Sequence, residues 1–339
     1  MKYENKAKNG YFNTILTAIC SFVGVGFITG AEIWFYFARF GKTAIFGTII
    51  FGIMTYVLLS LSISDKKTNN PKVLKLKTRI LIVGEMAVAS AMVSGLFETT
   101  RIIFNKCWLI VFLISIFVLI TLFVFEKKSY LFYNYILMIV IIFVIVLLFL
   151  YNNNINDEIL IKNQQNFSIK NLLFSTVFAC VYIFSNISEL RPVLEDNTKN
   201  YSKKQKKILC ILLSLCLIIL AFMLEIQFFR NIGLSKFSMP FLIVFKRKGG
   251  LGLWVFLAGL VMTMISTACA CLIGVKNKIN FNKNDENFIK IIVIIISLIC
   301  GQIPFKIFIK IIYPIVAIFN FLVFLIEIFE HKKFLKIQK

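Results

Sequence analysis

The chain has 339 residues, 59% of them hydrophobic and 37 of them phenylalanine, which is more apolar surface than a soluble domain can hide from water. The formal net charge is +22, but the lysines fall mostly between the apolar runs. We therefore interpret the charge as a membrane-topology signal, expect no nucleic-acid partner, and predict that most of the chain lies in a lipid bilayer.

Ten apolar runs predict about ten transmembrane helices in a single domain, 1–339. A helix needs about 20 apolar residues to cross the hydrocarbon layer of a bilayer. The runs lie near 12–38, 43–63, 79–104, 107–125, 130–151, 171–194, 207–228, 251–275, 287–302 and 304–329. The polar amino terminus leads into the first run without a small-residue cleavage site, so we expect it to be retained.

The positions of the 38 Lys and Arg residues predict the orientation of these helices. Most of them lie on the cytoplasmic side when the amino terminus is placed in the cytoplasm, which satisfies the positive-inside rule. Because the predicted number of spans is even, we expect the carboxy terminus to be cytoplasmic as well.

The first predicted span contains an interruption rich in glycine. Gly24, Val25 and Gly26 lie near its middle, and Gly30 follows about one helical turn later. A broken helix in lipid leaves backbone N–H and C=O groups that are costly unless protein, water or a ligand pairs with them. The glycines therefore predict a ligand-binding break, with a close helix-packing seam as the alternative.

The sixth predicted span has a polar interruption, Ser-Asn-Ile-Ser, at 185–188. The two interruptions fall at similar depth, and they are entered from opposite sides of the membrane. Five spans in each half give the halves opposite orientations, so we predict an all-α polytopic membrane protein with a 5+5 inverted repeat and broken helices 1 and 6. Repeat one covers about 12–151 and repeat two about 169–329.

Several motifs resemble one bacterial family. A glycine-rich break followed by a glutamate occupies 23–33, and shorter related segments lie at 92–98, 182–188 and 313–315. These segments resemble the first, third, sixth and last helices of the YkvI-like membrane proteins, although Ala31 stands where that family usually has glutamine. The resemblance implies the amino acid–polyamine–organocation superfamily, the leucine-transporter fold and a bacterial inner membrane.

The resemblance also implies a solute site around the two breaks, in which amides after the first break face a carboxylate. Its candidate residues are Gly24, Val25, Gly26, Phe27, Gly30, Glu32, Ser185, Asn186, Ile187, Ser188 and Glu189. Glu32 or Glu189 would hold a substrate amine or accept a coupling proton. The alternatives for Glu32 are pairing with Arg101 and extension to the outer interface.

Two adjacent hydroxyls in the eighth predicted span, Ser266 and Thr267, suggest a cation site. By resemblance to sodium-coupled proteins of this fold, they would join the carbonyls of Cys20 and Val23 around a sodium ion. The alternative is that both hydroxyls bond carbonyls of their own helix. Proton coupling and uncoupled transport also remain open, and we expect no other cofactor.

Other charged residues have simpler expected roles. Glu98 and Arg101 have the i,i+3 spacing of a pair that neutralises itself. Arg191 follows the sixth-span interruption. A role in a gate and an internal salt bridge are the two alternatives for it. Glu225 lies near the outer end of the seventh span and is expected at the interface, while Glu85 has no assigned role.

The predicted function is secondary active transport of an amino-acid-like or organic cation solute by alternating access, coupled to sodium or protons. The alternatives are a ligand-binding membrane sensor and an uncoupled facilitator or channel of the same fold. We do not expect an enzyme, because the only histidine is His331 and no known catalytic motif occurs.

The eight cysteines lack metal-site spacing and are expected to act as small hydrophobic residues.

Overall fold

Helices make up nearly all of the part of the chain that the structure describes. The computed structural model describes residues 2–63, 71–104, 127–152, 168–199, 201–278 and 295–337. Its α-helices are α1 (Lys2–Phe22), α2 (Val25–Ile28), α3 (Ala31–Tyr36), α4 (Ala44–Ser62), α5 (Pro71–Phe104), α6 (Lys127–Asn152), α7 (Ile169–Asn197), α8 (Lys203–Arg230), α9 (Pro240–Lys248), α10 (Gly250–Lys278), α11 (Phe305–Ile307) and α12 (Tyr313–Ile337). Two 3-10 helices (Ala38–Thr43 and Ile232–Lys236) precede α4 and α9, and a π-helical turn (Phe308–Ile312) joins α11 to α12.

Seven helical segments in the described residues are long and apolar enough to cross a membrane. They coincide with the second, third, fifth, sixth, seventh, eighth and tenth predicted spans. This architecture supports the all-α polytopic membrane class. The fourth predicted span (107–125) and most of the ninth (287–302) lie outside the described residues, so the count of ten stays a prediction.

The first predicted span is broken twice, as its glycines predict. Helix α1 ends at Phe22, and Gly24 has an extended backbone (φ −82°, ψ −174°) before α2 begins at Val25. The Gly24 N–H donates to the Phe22 carbonyl at 2.8 Å instead of continuing the helical pattern. At the second break Gly30 has a left-handed φ of 79°, which residues with a side chain rarely adopt. The prediction of a broken first helix is confirmed.

The sixth predicted span, in contrast, is continuous. Helix α7 (Ile169–Asn197) runs through 185–188 without interruption. The Ser185 hydroxyl and the Asn186 amide both donate to the Tyr182 carbonyl, at 2.7 and 3.0 Å. Because these polar groups bond a carbonyl of their own helix, they need no break to be satisfied. The prediction of a broken sixth helix is therefore wrong, and the inverted repeat stays a prediction that depends on the number of spans.

Helix α7 lies at the centre of the described bundle, where it packs against α1, α4, α10 and α12. Its Tyr182 is fully buried. The Tyr182 ring centroid lies 5.0 to 5.8 Å from those of four other buried rings: Phe22, Tyr36, Phe37 and Phe51. This aromatic cluster ties the broken first span to α4 and α7.

Helix α4 packs very closely against α7 and α8. Gly47 lies against Ser175 of α7 and Gly52 against Ile218 of α8, so closely that a β-carbon at either glycine would overlap the neighbouring side chain. On the outer faces of the bundle, by contrast, large apolar side chains are exposed. Examples are Ile139, Leu150, Leu173, Ile219 and Ile318. Exposed apolar faces around a closely packed interior are expected of a helical bundle in lipid.

Candidate functional site

Glu32 is the buried acidic residue of the broken first span. It lies in the first turn of α3, with 3% of its surface exposed. Its Oε2 accepts a hydrogen bond from the Tyr182 hydroxyl of α7 at 2.8 Å, and Tyr313 of α12 also hydrogen-bonds its side chain. The carboxyl group therefore joins α3, α7 and α12. Glu32 forms no ion pair with Arg101 among the described residues, and protein encloses it, so neither of the two alternatives expected for it, an arginine pair and extension to the outer interface, is observed.

Gly26 provides the space that the Glu32 side chain occupies. A β-carbon at position 26 would overlap Glu32 Oε1, Cδ and Cγ, so the carboxyl group lies directly against the backbone of α2. The structure therefore brings together two residues that the sequence analysis placed in the site. A larger residue at position 26 would push the Glu32 carboxyl group away from Tyr182.

The first break is enclosed by α5 and α10. A β-carbon at Gly24 would lie 3.2 Å from the Met92 methyl carbon of α5 and 3.6 Å from the Thr267 hydroxyl of α10. Val25 packs against Gly95 of α5, and all four residues of α2 are buried. Protein therefore covers the break on these sides, as a break in lipid requires.

The second break is covered by the segment between α8 and α10. Phe241 of α9 donates its N–H to the Thr29 carbonyl at 2.9 Å, and its ring packs against Gly30. Phe27 is also buried and meets Phe22 edge-on, with ring centroids 6.0 Å apart. These contacts give Phe27 and Gly30 packing roles beside the Glu32 site.

The predicted residues of the sixth span take little part in this arrangement. Ser185 and Asn186 bond a carbonyl of their own helix, and Ile187 is buried. A hydrogen bond between the first and sixth spans comes from Tyr182, an earlier residue of α7, whose hydroxyl donates to Glu32. Ser188 and Glu189 lie in α7, but their side chains are outside the described part of the structure.

The two hydroxyls of the predicted sodium site point to different neighbours. Thr267 donates to the Ser21 carbonyl at 3.1 Å, which is next to one of the predicted carbonyl ligands, that of Cys20. Ser266 donates to Asn134 Oδ1 of α6 at 2.7 Å. Both hydroxyls therefore bond a neighbouring helix, unlike the alternative in which they bond their own, and only Thr267 reaches the end of α1.

The other predicted carbonyl ligand, that of Val23, lies between the end of α1 and Gly24, and Val23 is buried. In the described ranges, no group of three or more His, Cys, Asp and Glu residues could hold a metal ion. A sodium ion held by hydroxyl and carbonyl oxygens would not need such a group, because hard cations prefer oxygen ligands. The sodium site stays a prediction.

Some residues of the site were given no role from the sequence. Tyr182 and Tyr313 hold Glu32, the Tyr36 hydroxyl donates to the Ile309 carbonyl at 2.7 Å, and Asn134 accepts from the eighth span. Each of these residues carries a polar group at the end of its side chain and lies within an apolar run of the sequence. Buried tyrosine hydroxyls and asparagine amides usually find a hydrogen-bond partner, so these residues could have been singled out, although their partners could not.

Two other acidic residues differ from expectation. Glu225 is fully buried, and its Oε2 lies 2.7 Å from the Thr48 hydroxyl oxygen of α4, so it is enclosed by protein where the sequence predicted an interfacial position. Close packing of α4 against α8 covers it. Glu98 Oε1 accepts from Ser238 at 2.7 Å, and within the described residues it forms no ion pair with Arg101.

A scan against models of protein families finds no match to this chain, and a search of curated proteins finds none either. The resemblance to YkvI-like proteins therefore rests on the motifs in the sequence. What the structure adds is a twice-broken first span and a buried carboxyl group at the break.

Proposed function

We propose that the chain is a secondary active transporter that moves an amino-acid-like or organic cation solute by alternating access. The observation that carries this proposal is Glu32, a buried carboxyl group held by tyrosine hydroxyls that forms no ion pair among the described residues. An ionisable group inside a membrane is costly, and it usually marks the path of a ligand or ion. The ammonium group of a solute would supply the missing positive charge.

The first break supports the same proposal. Backbone groups around Gly24 and Gly26 depart from the regular helical pattern, and by the resemblance stated above they would face the carboxylate of an amino acid. The proposal includes YkvI-like membership, the leucine-transporter fold, a bacterial inner membrane and cytoplasmic termini. A ligand-binding sensor and an uncoupled facilitator or channel of the same fold are the competing functions.

Coupling to an inward cation gradient is part of the proposal, and both sodium and protons have support. The position of Thr267 beside the Ser21 carbonyl supports sodium as the coupling ion. The buried carboxyl groups support proton coupling instead. Coupling requires only that the ion bind two conformations differently, and a tenfold bias corresponds to about 1.4 kcal/mol.

Uptake into proteoliposomes tests the proposal. We expect at least one member of a panel of amino acids and amines to accumulate above its external concentration when a sodium or pH gradient is imposed. Glu32→Gln should abolish this uptake, because it removes the negative charge that would receive the solute amine. Uptake that only equilibrates would favour a facilitator or channel, and binding without uptake would favour a sensor.

A further inference from the structure

Glu225 of α8 is a second buried carboxyl group, and it has no part in the Glu32 site. It lies in the seam with α4, fully buried. Its Oε2 is 2.7 Å from the Thr48 hydroxyl oxygen, and its Oε1 is buried without a hydrogen-bond partner in the described part of the chain. A buried polar atom without a partner is uncommon and calls for an explanation.

The hydrogen bonds of Thr48 indicate which form of Glu225 fits. The Thr48 hydroxyl oxygen lies 2.7 Å from Glu225 Oε2 and 3.3 Å from the Ala44 carbonyl oxygen. A hydroxyl has one hydrogen to donate and two lone pairs to accept with, so it cannot donate to both acceptors at once. If Glu225 is protonated, its own O–H donates to Thr48, and Thr48 donates to Ala44. Both contacts of the Thr48 hydroxyl are then satisfied, and the unpartnered Oε1 is a neutral carbonyl oxygen, which costs less to bury than a charged one.

Two arginine cations near the carboxy-terminal end of α8 lie over aromatic rings rather than beside Glu225. The Arg39 guanidinium lies 4.2 Å from the Phe178 ring centroid, and that of Arg230 lies 5.1 Å from the Phe149 ring centroid. Other titratable or charged side chains near this end, on the elements packed against α8, are Cys20, Glu32, Tyr36, Lys42, Tyr151 and Lys236. Within the described residues none of these groups pairs with Glu225, so an ionised carboxylate there would be uncompensated and costly.

We propose that Glu225 is a proton-binding site in the transmembrane core, with Thr48 as its hydrogen-bond acceptor, and that its proton is the one coupled to solute movement. The first half stands on the geometry of the α4–α8 seam alone. The second half rests on the proposed transport function. Glu32 then receives the solute, and Glu225 carries the proton on a different pair of helices.

Infrared spectroscopy of the purified protein in lipid tests proton binding without any solute. At neutral pH we expect a carbonyl band of a protonated carboxyl group that shifts in D2O, disappears in Glu225→Gln and persists in Glu32→Gln. Thr48→Val should shift the same band, since it removes the acceptor, whereas Thr48→Ser should leave it in place. If Glu225→Gln does not fold, the shift of the band in Thr48→Val is the measurement that tests the site. A spectrum that neither variant changes overturns the site.

Proteoliposomes test the coupling. For one coupled proton, a gradient of about one pH unit can drive about a tenfold accumulation, and we expect this ratio to fall to about one in Glu225→Gln. An unchanged ratio together with the expected infrared result overturns the coupling role. If the natural protein accumulates no solute, the transport function and the coupling fail together, while the infrared band still decides whether Glu225 binds a proton.

Discussion

At the scale of single residues, the contact between Gly26 and Glu32 is the strongest constraint on the site. A β-carbon at position 26 would occupy the space of the Glu32 carboxyl group. Gly26→Ala should therefore lower stability by about 1–3 kcal/mol, as overpacking usually does, and weaken solute binding. Thermal unfolding in detergent and solute binding are the measurements.

Gly24→Ala is the matched control for this substitution. It lies in the same break, but the added β-carbon would meet the flexible end of Met92 at 3.2 Å, which can move aside. We expect a smaller loss of stability and near-normal binding. Equal effects of the two substitutions would mean that Glu32 does not depend on the space at Gly26.

Tyr182 provides a second test at this scale. Tyr182→Phe removes the hydroxyl that donates to Glu32 and leaves a buried carboxyl group short of a partner, at a cost of about 1–3 kcal/mol. Solute affinity should fall by about tenfold, which corresponds to about 1.4 kcal/mol. The control is Tyr133→Phe, which removes a hydroxyl that donates to the Met262 carbonyl on α10. Equal solute affinity in the two variants would remove Tyr182 from the site.

At the scale of elements, the first and sixth spans show what the sequence could and could not predict. Glycine-rich segment 23–33 predicted a break, and the break is there, because Gly30 has a conformation suited to glycine. Segment 185–188 was predicted to break its helix as well, yet the Ser185 and Asn186 side chains bond the Tyr182 carbonyl. A Ser or Asn in a helix can bond inward or outward, and sequence alone does not decide between the two.

Hydrogen–deuterium exchange distinguishes the two spans directly. Amides at 185–188 should exchange as slowly as the neighbouring turns of α7, since they lie in a continuous helix. The amides of Val25 and Gly26, in the first turn after the break, should exchange faster, because first-turn amides have no intrahelical partner. Fast exchange at 185–188 would contradict the continuous helix and restore the predicted second break.

At the scale of the whole molecule, composition and hydropathy were enough to predict a helical membrane protein. Seven described helices coincide with predicted spans. What the sequence could not predict is which polar residues meet across helices. The pairs formed by Tyr182 with Glu32 and by Thr48 with Glu225 lie far apart along the chain, and they depend on how the helices pack rather than on any local pattern.

The predicted orientation can be tested at the two ends of α8. Lys203 and Lys236 are exposed near its start and beyond its end, and the predicted topology places them inside and outside the cell. In a background without native cysteines, a membrane-impermeant maleimide should label Lys236→Cys in intact cells and Lys203→Cys only after permeabilisation. The reverse pattern would invert the orientation, and equal labelling would mean that α8 does not span the membrane.

The most direct test of the central claim is equilibrium binding to the purified protein. The claim is that Glu32, at the broken first span, receives the positive group of a solute. Radiolabelled amino acids and amines are titrated against the natural protein and Glu32→Gln, with Glu98→Gln as a control for loss of an acidic residue on α5. We expect at least one amine-bearing solute to bind the natural protein and Glu98→Gln alike, and to bind Glu32→Gln at least about tenfold more weakly, corresponding to about 1.4 kcal/mol. Unchanged affinity for that solute in Glu32→Gln would contradict the claim.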